Sequence, residues 1–341
     1  MDAPVMGMGF LGFGDPQQLI NLLRTRSRNV RWVSCALADA DALWIKGSSA
    51  QMIRDGLVRI PSDEPSQRAT VLNLKEVDRP IAFTTPLHPK AMFQPALTFD
   101  PSNAESVAAV LNVFEQELRQ PTIELRLAHE LARRRHDIRS PVMHLILHGV
   151  LVGVVVLSGR IGLAPTLVPS DFEEIEWSGR PSSADEISPQ FVKTDLASVM
   201  WRYSGRTQDD LLPKRYKQGP IYFRRMPLVP QRLVRDIHLM LMSELRTMPQ
   251  TYAQLRASTG MTDVQASQSL AALYFAGSIT TDSRKALAVH QGSQEHRDSD
   301  LNTSIIGEEL PSAAAVPARP GRRARVDGPS TVPTPLEPGR R

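Results

Sequence analysis

The densest group of charged side chains lies at residues 211–235, a stretch with seven basic residues and no acidic one. Clustered Lys and Arg can bind a phosphate backbone, and aromatic rings between them can stack on bases. A basic linker that wraps an acidic neighbour, such as residues 171–176, would have the same composition, so both interpretations stay open. The candidate binding residues of this basic strap are Lys214, Arg215, Lys217, Tyr222, Arg224, Arg225, Arg232 and Arg235.

The histidines and the cysteine do not form a pattern that indicates catalysis or metal binding. His144 and His148 share one face of a predicted strand, but at ~3.3 Å per residue they lie ~13 Å apart, too far for one ion. Cys35 is the single cysteine, in an apolar run where a small buried side chain is the usual role. The sequence contains no G-x-S-x-G or H-E-x-x-H motif. We therefore predict no catalytic residue, no metal and no cofactor, and a protein that is not an enzyme.

A glycine-rich motif near the start of the chain matches G-x-G-x-x-G through Gly7, Gly9 and Gly12. A dinucleotide site of this type needs a strand before the first glycine, so that the pyrophosphate meets the following helix. Only six residues precede Gly7. We therefore expect the motif itself to form a strand at a glycine-rich edge of a sheet, and keep nucleotide sensing as an alternative hypothesis.

The composition is that of a globular chain with a mild excess of positive charge. Its 341 residues allow two or three domains, 41% of them are hydrophobic, and the net charge is +4. One cysteine excludes an intrachain disulfide and favours a reducing cytoplasm. The most apolar stretch, residues 142–168, is interrupted by His144, His148 and Arg160, and its uncharged centre is shorter than a membrane span. We expect a cytoplasmic protein without membrane contact.

Residues 1–122 are predicted to form an α/β domain. Strands are expected near residues 8–13, 30–37, 42–45, 69–74 and 81–84, with helices after residues 15–16 and at 105–118. This order resembles a response-regulator receiver or a flavodoxin-like open sheet. The resemblance implies an acidic phosphoacceptor at the end of the third strand, where this chain has Lys46 and Gly47. We therefore predict a degenerate receiver-like domain without a phosphoacceptor.

The middle of the chain reads as a series of smaller elements. Residues 123–141 are predicted to be a basic helical connector, followed at 142–212 by a β-meander and helices, among them an acidic helix at 170–177. As a segment between domains, the basic strap spans residues 213–232. From residue 286 to 341 the chain is rich in Ser, Pro, Ala, Gly and Arg, a composition that predicts a disordered tail.

Residues 233–285 show the most informative pattern. A helical run of apolar residues ends at Pro249. Thr251 can cap a second, short helix that Gly260 ends, and Thr262 opens a third helix before a strand-like exit. In this order of elements the segment resembles the winged-helix domains of bacterial regulators.

The winged-helix resemblance implies that the third helix would enter the major groove of DNA. Residues 261–276, which contain this helix, carry one charge, Asp263, and no Lys or Arg, so the surface suits a protein partner at least as well. The candidate contact residues of the module are Gln265, Gln268, Arg284 and Lys285.

Together these patterns predict a bacterial, cytoplasmic regulatory or signalling protein that acts as a protein-interaction adaptor through the winged helix. The first alternative is a transcriptional regulator that binds duplex DNA with the winged helix and with strap residues 214–235. The second alternative is a nucleotide-sensing effector. The expected partner is another protein, a signalling component, and the sequence leaves a homodimer open.

Overall fold

The computed structural model describes residues 4–26, 30–54, 56–62, 68–89 and 91–287. Within these residues the chain is a mixed α/β protein with one parallel sheet and three antiparallel sheets. The predicted disordered tail lies outside the described residues except for its first two positions. In the described part of the chain, no helix has the length and apolar character needed to cross a membrane.

The N-terminal part forms a five-stranded parallel sheet with a small antiparallel sheet inserted in its sequence. The spatial strand order is β2–β1–β3–β7–β8, and the inserted strands pair as β4–β5–β6. The elements are β1 Val5–Leu11, α1 Gln17–Arg26, β2 Arg31–Ser34, β3 Ala42–Ile45, β4 Gln51–Arg54, β5 Leu57–Ile60, β6 Thr70–Asn73, β7 Ile81–Thr84, β8 Thr98–Phe99 and α2 Ala104–Glu117. Each predicted strand and helix overlaps an observed one, but β1 begins three residues earlier than expected and β2 is shorter, and β4, β5 and β8 were not predicted.

The glycine-rich motif lies in β1 as far as Leu11, as predicted, and Gly12 follows the strand, but the prediction that the motif forms a sheet edge is wrong. β1 pairs with β2 on one side and with β3 on the other. A Cβ at Gly7 would stand 2.6 Å from Cys35 Sγ and 2.8 Å from the carbonyl oxygen of Asp39. Glycine is therefore needed at position 7 because the connection that follows β2 approaches the strand closely.

The parallel sheet has a core on each face. Met6 and Met8 are fully buried in the same core as the apolar side of α2, which includes Val107 and Phe114. On the other face a smaller core joins residues of the parallel sheet, such as Ile45, to the inserted strands. The alternation of side chains along each strand makes this two-sided burial possible.

The middle part contains a second five-stranded sheet, which is antiparallel and flanked by two helices. Its spatial order is β12–β9–β10–β11–β13. The predicted meander is confirmed, with a tight turn at His148 and Gly149, where both φ angles are positive. The elements are α3 Arg119–Arg134, β9 Val142–Leu147, β10 Val150–Val156, β11 Arg160–Leu163, β12 Glu176–Arg180, β13 Val192–Asp195 and α4 Leu196–Ser204.

The predicted acidic helix at 170–177 is wrong. A single 3-10 segment covers Pro169–Glu173, and the chain then enters β12, in which Trp177 pairs with Leu145. The strand forms because pairing with β9 satisfies backbone groups that would otherwise stand open at the sheet edge. The guanidinium of Arg134 also lies over the Trp177 ring, 5.3 Å from its centroid.

The predicted helical connector corresponds to most of α3, which begins four residues earlier than expected at Arg119. Leu127, Leu131 and the carboxylate of Glu130 are fully buried in it. The helix is therefore part of the core between the two sheets, and its basic residues near the C-terminus balance buried acidic ones.

The C-terminal part consists of three main helices and a three-stranded antiparallel sheet ordered β15–β14–β16. Thr251 and Thr262 cap α7 and α8, and Gly260 ends α7 in a left-handed conformation, as predicted. The central strand β14 comes from the basic strap, which is therefore part of this sheet. The elements are α5 Arg215–Gln218, β14 Pro220–Phe223, α6 Asp236–Thr247, β15 Gln250–Thr251, α7 Tyr252–Thr259, α8 Asp263–Phe275 and β16 Ile279–Thr280.

Candidate functional site

Helix α8, the third helix of the predicted winged helix, is buried along most of its length. It packs against α4, and its buried residues extend from Ala266 to Phe275. Gln268 Nε2 donates to the carbonyl oxygen of Thr207 at 2.8 Å, and Ser267 Oγ donates to Asp210 Oδ1 at 2.5 Å. The polar residues that could read base edges are thus engaged with the segment that follows α4.

Gln265 is exposed, but its side chain completes a cap at the start of α8. The side-chain Oε1 of Gln265 accepts from the backbone amide of Thr262 at 3.1 Å, and the backbone amide of Gln265 donates to Thr262 Oγ1 at 3.3 Å. Of the two predicted wing residues, Arg284 is exposed and Lys285 is half-buried, both in a short 3-10 segment after β16. The structure therefore leaves Gln265 and Arg284 on the surface, whereas Gln268 is half-buried against the segment that follows α4.

Three basic residues of the strap are bound to carboxylates of the same chain. Lys217 Nζ lies 2.6 Å from Asp210 Oδ2. Two further ion pairs tie the strap to the N-terminal part: Arg232 Nη1 to Asp78 Oδ2 at 2.5 Å, and Arg235 Nη2 to Asp39 Oδ1 at 2.6 Å. The strap therefore does contact acidic neighbours, but these are not the carboxylates of residues 171–176 that the linker interpretation suggested.

The other strap residues differ in how much charge they present. Arg225 is half-buried, and its Nη2 packs against Gly277, 3.0 Å from the position that a Cβ would take there. Burial and the neighbouring charge of Arg224 lower the pKa of Arg225. Tyr222 is half-buried in β14 opposite Thr280. Lys214 and Arg215 are exposed, and Arg224 is half-exposed.

A cavity of about 520 Å³ lies against the first halves of β1 and β2, at the junction of the sheet with the later parts of the chain. Its walls come from the first two strands, from residues 125–129 of α3, from residues 203–209 at the end of α4, and from Arg235. No local sequence pattern indicates this cavity, because its lining residues lie as far apart in the chain as Pro4 and Arg235.

Two ion pairs border the cavity, and both use carboxylates from the connection between β2 and β3. Asp41 holds Arg206 in a two-bond contact, with Oδ1 2.7 Å from Nη2 and Oδ2 2.8 Å from Nη1. Asp41 Oδ2 also accepts from the Gly7 amide at 2.7 Å. With the pair between Asp39 and Arg235, these contacts fix the C-terminal segments to the parallel sheet.

Burial raises the pKa of two groups that line the cavity, the Tyr203 hydroxyl and the Cys35 thiol. His129 Nδ1 lies 3.0 Å from the hydroxyl oxygen of Tyr203, and burial raises the pKa of that hydroxyl. Burial, reinforced by Asp41 and Asp39, raises the pKa of the Cys35 thiol to about 11. Cys35 is therefore a protonated thiol at neutral pH, without the character of a nucleophile.

Arg126 is the deepest cation of the cavity, with 5% of its surface exposed. Its Nη2 lies 3.9 Å from Glu173 Oε1. In the same helix Glu130 Oε2 accepts from Arg133 at 2.8 Å and from Arg134 at 3.2 Å, and Glu124 is paired with Arg202. The sequence offers one signal for the burial of Arg126, namely its position between the apolar residues 125 and 127. This signal is weak, because a buried helix position rarely holds an arginine.

Within the described residues, no group of three or more His, Cys, Asp or Glu side chains is arranged to hold a metal ion. Comparisons of the chain with protein-family models, with curated proteins and with solved structures find no match. The function is therefore inferred from the geometry of the chain itself.

Proposed function

We propose that this chain is a non-enzymatic regulatory protein of the bacterial cytoplasm whose C-terminal module, residues 233–285, acts as a winged helix that binds another protein. The observation that carries this proposal is the coverage of α8 by α4 and residues 207–210. A helix that reads DNA must present polar side chains to the groove. Here Gln268 and Ser267 would have to break contacts within the chain first.

The charges of the strap favour the same conclusion. Lys217, Arg232 and Arg235 each have a carboxylate partner at 2.6 Å or less. Affinity for duplex DNA grows with the number of phosphates that Lys and Arg neutralise. A cation that is already neutralised within the chain adds little to that number. The strap should therefore attract DNA less strongly than its seven basic residues suggest.

The surface of the module offers apolar side chains to a partner. On α6, Leu239 is 48% exposed and Met240 is 40% exposed. Met226 and Leu228 in the strap are 51% and 75% exposed. Methionine and large apolar side chains are enriched at protein interfaces, whereas DNA contacts depend on cations.

The parallel sheet supports a relation of the first domain to receiver-like and flavodoxin-like folds. If the inserted β4–β6 sheet is left out, the strand order is 2-1-3-4-5, as in those folds. Lys46 follows β3 where a receiver has its phosphoacceptor. The domain therefore serves as a docking or dimerisation scaffold in this proposal, and a homodimer remains part of it.

A pull-down with the full-length protein tests the proposal. The double variant Leu239→Glu, Met240→Glu should lose a partner that the unmodified chain recovers from its own cells, because charges on α6 oppose an apolar contact. Ile53→Glu is the matched control, since Ile53 is 53% exposed on β4 in the N-terminal part. Recovery that is unchanged in the double variant would contradict the proposal.

A gel-shift titration with duplex DNA distinguishes our proposal from the alternative of a DNA-binding transcriptional regulator. The titration is done at ~50 mM salt, because phosphate contacts are strongest at low salt. Our proposal expects no shift. A salt-dependent shift that disappears when Arg224, Arg225, Arg284 and Lys285 are neutralised would establish the DNA-binding regulator instead.

A further inference from the structure

Strand β12 forms one edge of the five-stranded antiparallel sheet. It pairs with β9 from Glu176, opposite Ile146, to Arg180, opposite Val142. Among the described residues, no backbone hydrogen bond joins residues 176–180 to any segment other than β9. Gly179 is exposed, and because it has no side chain this exposure is that of the backbone. The outer side of β12 is therefore open to a further strand.

β12 lacks the usual protections of an open edge. Edge strands that stay unpaired commonly carry Lys, Pro or a β-bulge. The sequence of β12 is EWSGR, and its pairing with β9 continues without a shift in register. Its two charged residues are of opposite sign, so they do not repel every approaching strand. The opposite edge of the sheet differs, because β13 runs directly into α4, which Asp195 caps.

The sequence of β12 is complementary to a second copy of itself in the antiparallel direction. When two copies pair around Ser178, Glu176 of each strand lies opposite Arg180 of the other, and the two Ser178 residues face each other. Trp177 then lies opposite Gly179, so no bulky side chain opposes the indole. Directly opposite residues of an antiparallel pair have Cβ atoms ~4.5–5.5 Å apart, where opposite charges attract and hydroxyl groups can form hydrogen bonds.

The charges at both ends of β12 are available for such contacts. Glu176 and Arg180 are exposed. The ion pair next to the strand uses Glu174, whose Oε2 lies 3.4 Å from His148 Nε2. Within the described part of the chain, neither Glu176 nor Arg180 belongs to an ion pair. A second copy can therefore bind both charges without breaking a contact of this chain.

β12 is fixed in place from the inner face of the sheet. Trp177 is half-buried opposite Leu145, and the guanidinium of Arg134 on α3 lies 5.3 Å from the centroid of its ring. A side chain at Gly179 would overlap Ser140, so the backbone packs closely there. The strand is thus ordered before a partner binds, which lowers the entropic cost of pairing.

We propose that two copies of this chain associate through β12, related by a two-fold axis at Ser178, so that their antiparallel sheets join into one. Such an interface is isologous, because each copy contributes the same residues. It lies apart from the apolar residues of α6 and the strap, so it does not rest on the proposed function. Because the paired strand is short and buries little surface, we expect a weak dimer that depends on concentration.

Sedimentation equilibrium of the full-length purified protein tests this inference, from ~1 to ~200 µM at ~50 mM salt. The unmodified chain should pass from monomer to dimer in this range. Glu176→Arg and Arg180→Glu should each raise the dissociation constant of the dimer at least about tenfold, because each places like charges opposite each other at both symmetric positions. An equimolar mixture of the two variants should recover the dimer, since every charge then meets one of opposite sign.

Glu186→Arg is the matched control. It makes the same charge change at another exposed residue, which follows Asp185, the partner of Arg160 on β11. This control should dimerise like the unmodified protein. All the changed side chains are exposed, so the fold is retained, and thermal unfolding of each variant checks it.

Four outcomes would overturn the inference. These are an unmodified chain that stays monomeric throughout, a dimer that neither single variant weakens, equal weakening in Glu186→Arg, and no recovery in the mixture. The readout is self-association of the purified chain, whereas the protein contact of α6 is scored by partner recovery. Failure of the β12 contact therefore leaves the proposed function untouched, and the reverse also holds.

Discussion

Gln268 on α8 donates a hydrogen bond to the carbonyl oxygen of Thr207, 61 residues away in the sequence, at 2.8 Å. In a DNA-binding winged helix a glutamine at this place would face a base edge. Here it anchors the helix to the segment that follows α4, which also forms one wall of the cavity. One contact thus joins the proposed protein-binding module to a wall of the cavity.

Replacing Gln268 by Ala should lower the free energy of unfolding by about 1–2 kcal/mol, because the Thr207 carbonyl loses its partner in a half-buried place. Chemical denaturation at constant pH measures this difference. Gln116→Ala is the matched control, since Gln116 is an exposed helical glutamine on α2, and it should change stability by less than about 0.5 kcal/mol. Equal effects of the two variants would show that the contact contributes nothing.

Gly7→Ala should destabilise the protein by about 1–3 kcal/mol, because the new methyl group would overlap Cys35 Sγ and the carbonyl oxygen of Asp39. Gly205→Ala is the control, because the φ angle of Gly205 is −74° and an added Cβ would lie 4.0 Å from the Arg202 carbonyl oxygen. We expect Gly205→Ala to be neutral or slightly stabilising. A neutral Gly7→Ala would contradict the close packing of β1 against the β2–β3 connection.

Stability should fall as the pH drops from about 6.5 to about 4, since burial, helped by Arg235, lowers the pKa of His238 from 6.5 to about 4. His238 Nδ1 accepts from the Arg235 amide at 3.1 Å, and its ring packs 4.6 Å from that of Trp201, so the folded state keeps the imidazole neutral. The unfolded chain takes up the proton first as the pH falls. The contribution is therefore complete above pH 6.5 and amounts to about 3 kcal/mol at most.

Denaturation curves at several pH values test the His238 prediction. His238→Asn keeps an acceptor for the Arg235 amide but does not titrate, so its stability should vary less between pH 6.5 and 4. His136→Asn is the control, since His136 is exposed, and it should keep the full pH dependence of the unmodified protein. The same pH dependence in His238→Asn would assign the effect to other groups.

Alkylation of the Cys35 thiol should be slow at pH 7 and accelerate about tenfold per pH unit up to pH 10, because the pKa of the thiol is raised to about 11. In denaturant the rate should level off near the ordinary thiol pKa of 9.0. Asp39→Asn should lower the pKa and speed labelling at neutral pH, since that carboxylate opposes the thiolate. A rate in the folded protein that levels off below pH 9 would contradict the half-buried environment of Cys35 between Asp39 and Asp41.

Local sequence signals predicted much of the fold. The apolar runs located β1, β2, β3 and β7, and the Thr and Gly residues around α7 and α8 marked their ends. These signals work because caps and strand alternation act over a few residues. The acidic segment at 170–177 failed for the opposite reason: its helical pattern was outweighed by pairing with β9, a partner about 30 residues earlier.

By itself, the sequence determined most of the elements, the absence of catalytic and metal-binding motifs and the place of the basic strap, since each is a matter of residue type and short spacing. Only the tertiary structure decided which charges remain available, because Arg232, Arg235 and Arg206 find Asp78, Asp39 and Asp41 more than 150 residues away. It also decided that α8 is covered and that a cavity forms. Such contacts depend on how distant segments pack, and no local pattern encodes the distance between them.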